Sequence, residues 1–369
     1  MQLDLMQIDE IFMLECLKLA KKGAGYVSPN PMVGSVFVKD NKVIGRGYHK
    51  IFGQPHAEVN ALKAVRGSLK GATLYTNLEP CNYYGKTPPC TEAIIKSKIS
   101  RVVVGMKDPN SLVSGNGIRQ LRQAGITVKV GVLEDDCKKL NEVFTKYITT
   151  GLPFVTLKIA QTLDGKIADT NGNSKWITNS HSRAIVHQLR SQYGAVLVGA
   201  GTVKKDNPKL TVRDVQGKNP IRIILDGRFT IDPSAKVLST NSTTKTMLFT
   251  TEQFVKRSPV KKKLILKKGV EIVSLTGNNG GKLSIAEILE ILGKKGISSV
   301  LVEGGAQVFS TFLKLNLVDK FLFFVSPKLL YGGLDAFQYL QPRKIYSLMK
   351  LRNFSICKID GDILIEAYS

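Results

Sequence analysis

Four residues have types and spacing suited to metal chemistry: His56 and Glu58 in PHAEVNAL (55–62), and Cys81 and Cys90 in LEPCNYYGKTPPC (78–90). Pro55 suits a first helical position, which places the His56 imidazole at the positive end of a helix dipole. Glu58, two residues on, lies about 200° around an ideal helix, so the two side chains share a site only if that site wraps the helix tip. This arrangement suits a metal-bound imidazole with a carboxylate facing a bound water. Cys81 follows a strand pattern and Pro80, and Cys90 follows Pro88 and Pro89 at an expected helix start, where a thiol pKa is lowered. One His and two Cys leave the fourth tetrahedral position open, as in a catalytic rather than a structural zinc site. Zinc brings the pKa of bound water from ~15.7 to about 7, and Glu58 would carry protons from that water to a leaving nitrogen.

Singly, a His at a helix start or a buried Cys is ordinary structure; the order of all four makes the metal site. H-x-E followed by P-C-x-x-C marks zinc deaminases of nucleobases. Here HAE and EPC fit, but eight residues, NYYGKTPP, separate the two cysteines instead of two.

The elements that must position these residues alternate. VGSVFV (33–38) and VIGRGY (43–48) flank the turn KDNK and predict a hairpin. Helices are expected over 56–66, 89–98, 116–124 and 134–148, with strands over 72–78, 101–106 and 127–132, which makes a layered α/β domain. TTGLPF (149–154) supplies the Gly and Pro of a boundary, giving domains 1–148 and 149–369. A second α/β block follows: strands at 154–160, 195–200, 221–226, 245–250, 299–305 and 320–327, and helices at 180–191, 284–294 and 306–316. At 369 residues, two domains match the usual core size, and no repeat relates them.

Net charge is +24, spread as +8 over residues 1–150 (21 basic, 13 acidic) and +16 after them (32 basic, 16 acidic). A lysine-rich solvated surface explains this; nucleic-acid binding or steering of a phosphorylated small molecule are the sharper alternatives. Asp4, Asp9, Glu10 and Glu15 precede any Lys, and no apolar run approaches the ~20 residues of a membrane span. Five scattered cysteines suit a reducing compartment, so a cytoplasmic location is expected.

PNPMVGSVFV, GYHKIFGQPHAEVNAL and LEPCNYYGKTPPC resemble the deaminase domain of bifunctional riboflavin-biosynthesis deaminase/reductases. The resemblance implies a cytidine-deaminase-like three-layer α/β/α domain with zinc on His56, Cys81 and Cys90 and Glu58 as proton shuttle. It also implies that Asn30, His49 and Lys86 hold the pyrimidine and phosphate of a diaminopyrimidinone ribosylamino 5′-phosphate. Where the family usually shows Ser-His after the first cysteine, this chain has Asn82-Tyr83. A tyrosine there is able to stack on a pyrimidine.

TLKIAQTLDGKIA (156–168), NSKWITN (173–179), VGAGTVKKDNPKLTVR (198–213) and LVEGGAQV (301–308) resemble the reductase domain of the same enzymes, which is similar in fold to dihydrofolate reductase. Residues 230–298 add little to the likeness. Gly199-Ala200-Gly201 is weak alone, because the third glycine of a dinucleotide fingerprint falls at Lys204. Gly199 and Gly201, and Gly304 and Gly305, let backbone approach a pyrophosphate at the helix that follows. The resemblance implies NADPH contacts from Ala160, Trp176, Thr202, Asp206, Gly227, Gly305, Ala306, Gln307, Val308, Phe309, Ser310 and Thr311. It implies substrate contacts from Ser174, Arg190, Leu210, Arg213 and Glu303, with Arg190 and Arg213 as a phosphate clamp. The expected activity is zinc-dependent deamination of the pyrimidine, then NADPH-dependent reduction of the ribosyl chain. Its partners would be phosphorylated pyrimidines, with no nucleic acid or membrane and with homo-oligomerisation open. An RNA-editing deaminase with a binding module is the alternative, for which DNPKLTVR and VEGGAQV have no use.

Overall fold

In the computed structural model, residues 7–239, 244–277, 280–342 and 344–369 are described; Asp4 lies outside them. The chain divides into two compact units, Met1–Gly151 and Leu152–Ser369. The expected boundary at 148/149 falls inside the last helix of the first unit, which runs to Thr150 and ends on Gly151 at φ +72°.

The first unit contains α1 (Ile8–Ala20), β1 (Gly34–Lys39), β2 (Lys42–Tyr48), α2 (Ala57–Lys63), β3 (Thr73–Leu78), α3 (Cys90–Lys96), β4 (Arg101–Met106), α4 (Asn116–Gln123), β5 (Thr127–Val130), α5 (Glu134–Leu140) and α6 (Glu142–Thr150). Its sheet has the order β2-β1-β3-β4-β5. β1 is antiparallel to β2 and β3, and β3, β4 and β5 are parallel. Alternation along the strands sends side chains to two cores. Val36, Tyr75 and Val103 meet Phe12, Met13 and Cys16 of α1 on one face. Phe37, Leu74, Val102 and Val104 meet Ala61 of α2, Ile94 of α3 and Leu121 of α4 on the other. These are the three layers of an α/β/α domain. Asp9 pins α1 across β3, β4 and β5 by accepting from Tyr75 Oη at 2.8 Å, from the two terminal Arg101 guanidinium nitrogens at 3.0 and 2.8 Å, and from Lys129 Nζ at 2.8 Å.

The periodicity over 134–148 predicts one helix, but the chain breaks at Asn141 (φ −105°, ψ 21°) into α5 and α6. The Asn141 carboxamide accepts the Met32 N–H at 2.8 Å and donates to Met32 O at 3.0 Å, a pairing across 109 residues that outweighs one helical turn.

The second unit contains β6 (Phe154–Thr162), β7 (Lys166–Ala168), α7 (Ser180–Gln192), β8 (Ala195–Gly199), α8 (Ala200–Asp206), β9 (Ile221–Leu225), β10 (Thr246–Thr251), α9 (Glu252–Lys256), α10 (Pro259–Leu266), β11 (Glu271–Leu275), α11 (Ile285–Lys294), β12 (Ser299–Val302), α12 (Ala306–Lys314), β13 (Lys320–Ser326), β14 (Leu334–Asp335), β15 (Arg352–Ile359) and β16 (Asp362–Tyr368). Nine strands form one sheet in the order β11-β10-β9-β8-β12-β6-β13-β16-β15. From β11 to β13 all neighbours are parallel, and helices cover both faces of the central strands, so these are mostly apolar, with Lys158 and Arg222 as charged exceptions. Leu197, Ile223 and Phe249 join α11 and α12 on one side. Val196, Val198, Ile224 and Leu248 join Val203, Val255 and Ile265 of α8, α9 and α10 on the other. The sequence pattern predicts no element over 352–368; the chain closes there in an antiparallel hairpin, with β16 paired to β13. Among the described residues no helix is long and apolar enough to cross a membrane.

Candidate active sites

His56 is the N-cap of α2 in extended backbone (φ −71°, ψ 170°), not a residue inside the helix. The ideal-helix angle to Glu58 therefore does not apply, and both side chains reach one spot at the helix tip. His56 Nδ1 lies 3.5 Å from Cys81 Sγ and 3.3 Å from Cys90 Sγ. The three ligand atoms lie within 4.8 Å of one another. Cys81 sits in the loop after β3, and Cys90 opens α3 behind Pro89. The N–H of Cys90 donates to Cys81 Sγ at 3.4 Å. This N–H adds a smaller contribution to lowering the thiol of Cys81, and the thiol of the helix's own first residue is not lowered. Hydrogen bonds from Cys90 and then from His56 hold Cys81 well below the usual thiol value. Cys90, bonded to Cys81 and deeply buried, is pushed up. Two thiols sharing one proton divide in this way.

Glu58 is 5% exposed, and burial pushes its carboxyl up to about 7. Its Oε2 is buried with no hydrogen-bond partner. An orphaned carboxylate oxygen beside one imidazole and two thiols fits a site for a borderline-soft, tetrahedral ion such as zinc and a water to be deprotonated.

Asn30 and His49 come together next to this cluster. Asn30 Nδ2 is 3.2 Å from His49 Nε2, His49 Nδ1 is 3.2 Å from Pro55 O, and the His49 ring meets that of His56 edge-on at 5.3 Å. Burial lowers the His49 pKa, which favours the neutral ring. Lys86 extends from the loop between the cysteines, with Nζ 4.0 Å above the Phe52 ring. Tyr83 in the same loop is 40% exposed, and Asn82 Oδ1 is buried without a partner. Tyr84 Oη donates to Glu92 of α3 at 2.9 Å, tying the loop down. Thr87, which carries no motif signal of its own, places Oγ1 3.3 Å from His56 Nε2.

In the second unit, two glycine turns bring two helix starts side by side. A Cβ on Gly304 would stand 2.9 Å from Val198 Cα and 3.0 Å from Gly199 N. Only glycine lets the chain between β12 and α12 run this close to the end of β8. Gly305, at φ +52°, faces Thr202 Oγ1, and Gly199 faces Val308. Gly199, Thr202, Gly305 and Val308 thus lie together where α8 and α12 begin. Of the α12 residues expected to face a cofactor, Gln307, Val308 and Thr311 are at least partly exposed. Phe309 is turned into the core, and Ser310 is 3% exposed with its Oγ unpartnered. Asp206 closes α8 and accepts from Ser174 Oγ at 3.2 Å. Trp176 is 65% exposed under the Arg183 guanidinium at 4.3 Å. Ala160 lies on β6 opposite Phe324, and Gly227 follows β9.

Arg190 and Arg213 both reach Thr211, but the Arg190 guanidinium is already engaged. Its fork is taken by Glu303, Nε to Oε1 at 2.6 Å and an η nitrogen to Oε2 at 2.8 Å, and a third N–H reaches Thr211 O at 3.3 Å. Lys158, the lone cation in the apolar run of β6, lies 3.5 Å from the same carboxylate. Despite its burial, Glu303 is pulled down to about 2 by Arg190 and then Lys158. Burial lowers the Lys158 pKa. Arg213 is exposed, with one η nitrogen 3.3 Å from Thr211 Oγ1, and its backbone N–H donates to His187 Nδ1 at 3.3 Å. Leu210 is 3% exposed at φ +53° with its side chain in the core, so any ligand meets its backbone.

Residues 153–365 match the family model described as the RibD C-terminal domain, and residues 6–106 match the cytidine and deoxycytidylate deaminase zinc-binding region. The chain is 46% identical to the riboflavin biosynthesis protein RibD of Aquifex aeolicus, over 97% of its own length and 98% of that protein. It is 38% identical to the RibD of Escherichia coli over 89% of each. Among solved structures, it is similar to the diaminohydroxyphosphoribosylaminopyrimidine deaminase/5-amino-6-(5-phosphoribosylamino)uracil reductase of Thermotoga maritima (44% identity, TM-score 0.87, 98% of both chains). It is also similar to Acinetobacter baumannii RibD (36% identity, TM-score 0.86, 98% of both chains).

Proposed function

The chain belongs to the RibD family of riboflavin biosynthesis and joins a deaminase domain to a reductase domain, and from that premise we propose how its residues divide the work. The substrates are those named for the Thermotoga maritima relative: a diaminopyrimidine carrying a phosphoribosylamino group, then the corresponding aminouracil. The first unit, residues 1–151, performs the first reaction and the second unit, residues 152–369, the second. Both substrates are small phosphorylated pyrimidines met in the cytoplasm, and copies of the chain are able to associate. The RNA-editing alternative fails, because its supposed binding module is the reductase domain.

In the first unit His56 Nδ1, Cys81 Sγ and Cys90 Sγ would hold zinc, which would supply a Lewis acid that makes water nucleophilic at neutral pH. Glu58 Oε2 takes a proton from the attacking water and hands it to the departing amino nitrogen, while the remaining hydroxyl proton passes to the adjacent ring nitrogen, so that ammonia leaves and a ring carbonyl remains. Asn30 and His49 orient the pyrimidine by hydrogen bonds, and the Lys86 ammonium holds the phosphate. In the second unit Gly199, Thr202, Gly305 and Val308, with Ala160, Trp176, Asp206 and Gly227, bind NADPH, which supplies a hydride for the ribosyl chain. Arg213 pairs with the substrate phosphate. Glu303, held ionised by Arg190 and Lys158, accepts substrate N–H or O–H groups with Ser174.

The observation that carries this reading is the convergence of His56, Cys81 and Cys90 beside the Glu58 carboxylate, whose Oε2 is buried without a hydrogen-bond partner. Zinc-loaded protein given the diaminopyrimidine should release ammonia without NADPH and oxidise NADPH only after deamination. Oxidation of NADPH with no ammonia released would overturn the order and the site.

A further inference from the structure

The His56 imidazole makes no capping hydrogen bond, so α2 does not fix its ring. Its two nitrogens face different chemistry. Nδ1 is the one near both thiols, at 3.5 and 3.3 Å, and Nε2 lies 3.3 Å from Thr87 Oγ1. A neutral imidazole carries one N–H, and the nitrogen that binds a metal must offer its lone pair. The proton therefore belongs on Nε2, and a group there must accept it. His49, the ring neighbour at 5.3 Å, has its own nitrogens engaged with Pro55 O and Asn30.

We propose that Thr87 is the positioning residue of the metal site: its hydroxyl accepts the His56 Nε2–H, fixing the tautomer and the ring angle that turn Nδ1 toward the two thiolates. The inference rests on the zinc reading of the His56, Cys81 and Cys90 cluster. Thr87 is stiff for this task. Its β-branch restricts χ1, Pro88 restricts its backbone, and its carbonyl accepts the Gly85 N–H at 3.3 Å. The eight residues between the cysteines acquire a reason as well. A Cys-x-x-Cys turn has no room for a separate orienting group, whereas NYYGKTPP carries one from its first ligand to its second.

The test uses the full chain loaded with zinc and compares Thr87→Val, which keeps the shape and removes the acceptor, with Thr87→Ser, which keeps the acceptor. Competition with a chelator should show zinc held ~10–100-fold more weakly in Thr87→Val, the usual effect of losing such a partner, and close to normally in Thr87→Ser. With four histidines in the chain, long-range ¹H–¹⁵N spectra can assign the His56 nitrogens, and they should show Nδ1 bound and Nε2 protonated in the parent. Calorimetry of the metal-free full chain, in which the transition of the first unit should match the parent's, reports whether each variant has folded. Should Thr87→Val misfold, the affinity of Thr87→Ser and the parent spectrum decide. Normal zinc affinity in a folded Thr87→Val, weakened affinity in Thr87→Ser, or His56 bound through Nε2 overturns the proposal. A parent that binds no zinc at all overturns the functional reading beneath it instead.

Discussion

Replacing Glu303 by Gln removes the charge that neutralises two buried cations while leaving the side-chain shape intact. The Glu303 side chain is 6% exposed, with Arg190 at 12% and Lys158 at 14%. Its carboxyl lies at about 2 instead of 4.5. At ~1.36 kcal/mol per pH unit, this difference corresponds to about 3 kcal/mol of folding stability at neutral pH. The cost of leaving a buried charge unpaired, ~3–5 kcal/mol, is of the same size. For a unit of this size ~2–4 °C accompanies each kcal/mol, so the melting transition of the second unit should fall by about 6–12 °C. Calorimetry on the full chain can identify that transition as the one NADPH raises. Because the folded pKa is depressed, the contribution is complete above about pH 4.5 and disappears as pH falls toward 2. The gap between parent and variant should close over that interval. Lys158, whose own pKa is lowered by burial, gains less from the carboxylate than its desolvation costs. Arg190→Met should therefore destabilise more than Lys158→Met. A Glu303→Gln transition within ~1 °C of the parent, or a gap that persists unchanged at pH 3, would refute the reasoning.

Glu58→Gln should keep one zinc per chain by elemental analysis and lose ~10²–10⁴-fold in ammonia release, the usual contribution of a proton-transfer group. Cys81→Ser/Cys90→Ser should lose the metal altogether. Arg213→Ala should raise KM for the ribosylaminopyrimidine and leave NADPH affinity nearly unchanged, which steady-state kinetics with each substrate varied in turn can show. A Gly304→Ala methyl would meet Val198 Cα at 2.9 Å and Gly199 N at 3.0 Å, both backbone atoms that cannot turn aside. It should cost ~1–3 kcal/mol of stability and weaken NADPH binding measured by fluorescence titration. Unaltered binding in that variant would place the cofactor elsewhere.

The cluster of His56, Cys81 and Cys90 beside Glu58 is legible along the chain, because a His at a helix start, an acid two residues on and two cysteines that each follow a proline, one after a strand and one at a helix start, are local patterns. The sequence by itself also determined the two α/β blocks. Val36–Phe37 and Leu197–Val198 alternate between faces within the strand, a short-range periodicity that needs no partner. Tertiary structure alone decided the rest, and in each case a distant group outweighed a local preference. Met32 breaks the helix at Asn141 from 109 residues away. Glu303 takes the Arg190 fork from 113 residues away, engaging the guanidinium that its type suggests for a phosphate clamp. Phe309 and Leu210 face the core because neighbouring strands and helices bury them, although their motifs align them with ligands. Thr87 and Lys158 show the same limit from the other side. A hydroxyl in a polar loop and a lysine in a strand are unremarkable until folding sets one 3.3 Å from His56 and the other 3.5 Å from Glu303. Residue type and period are written along the chain, but which donor meets which acceptor depends on packing geometry that no single segment contains.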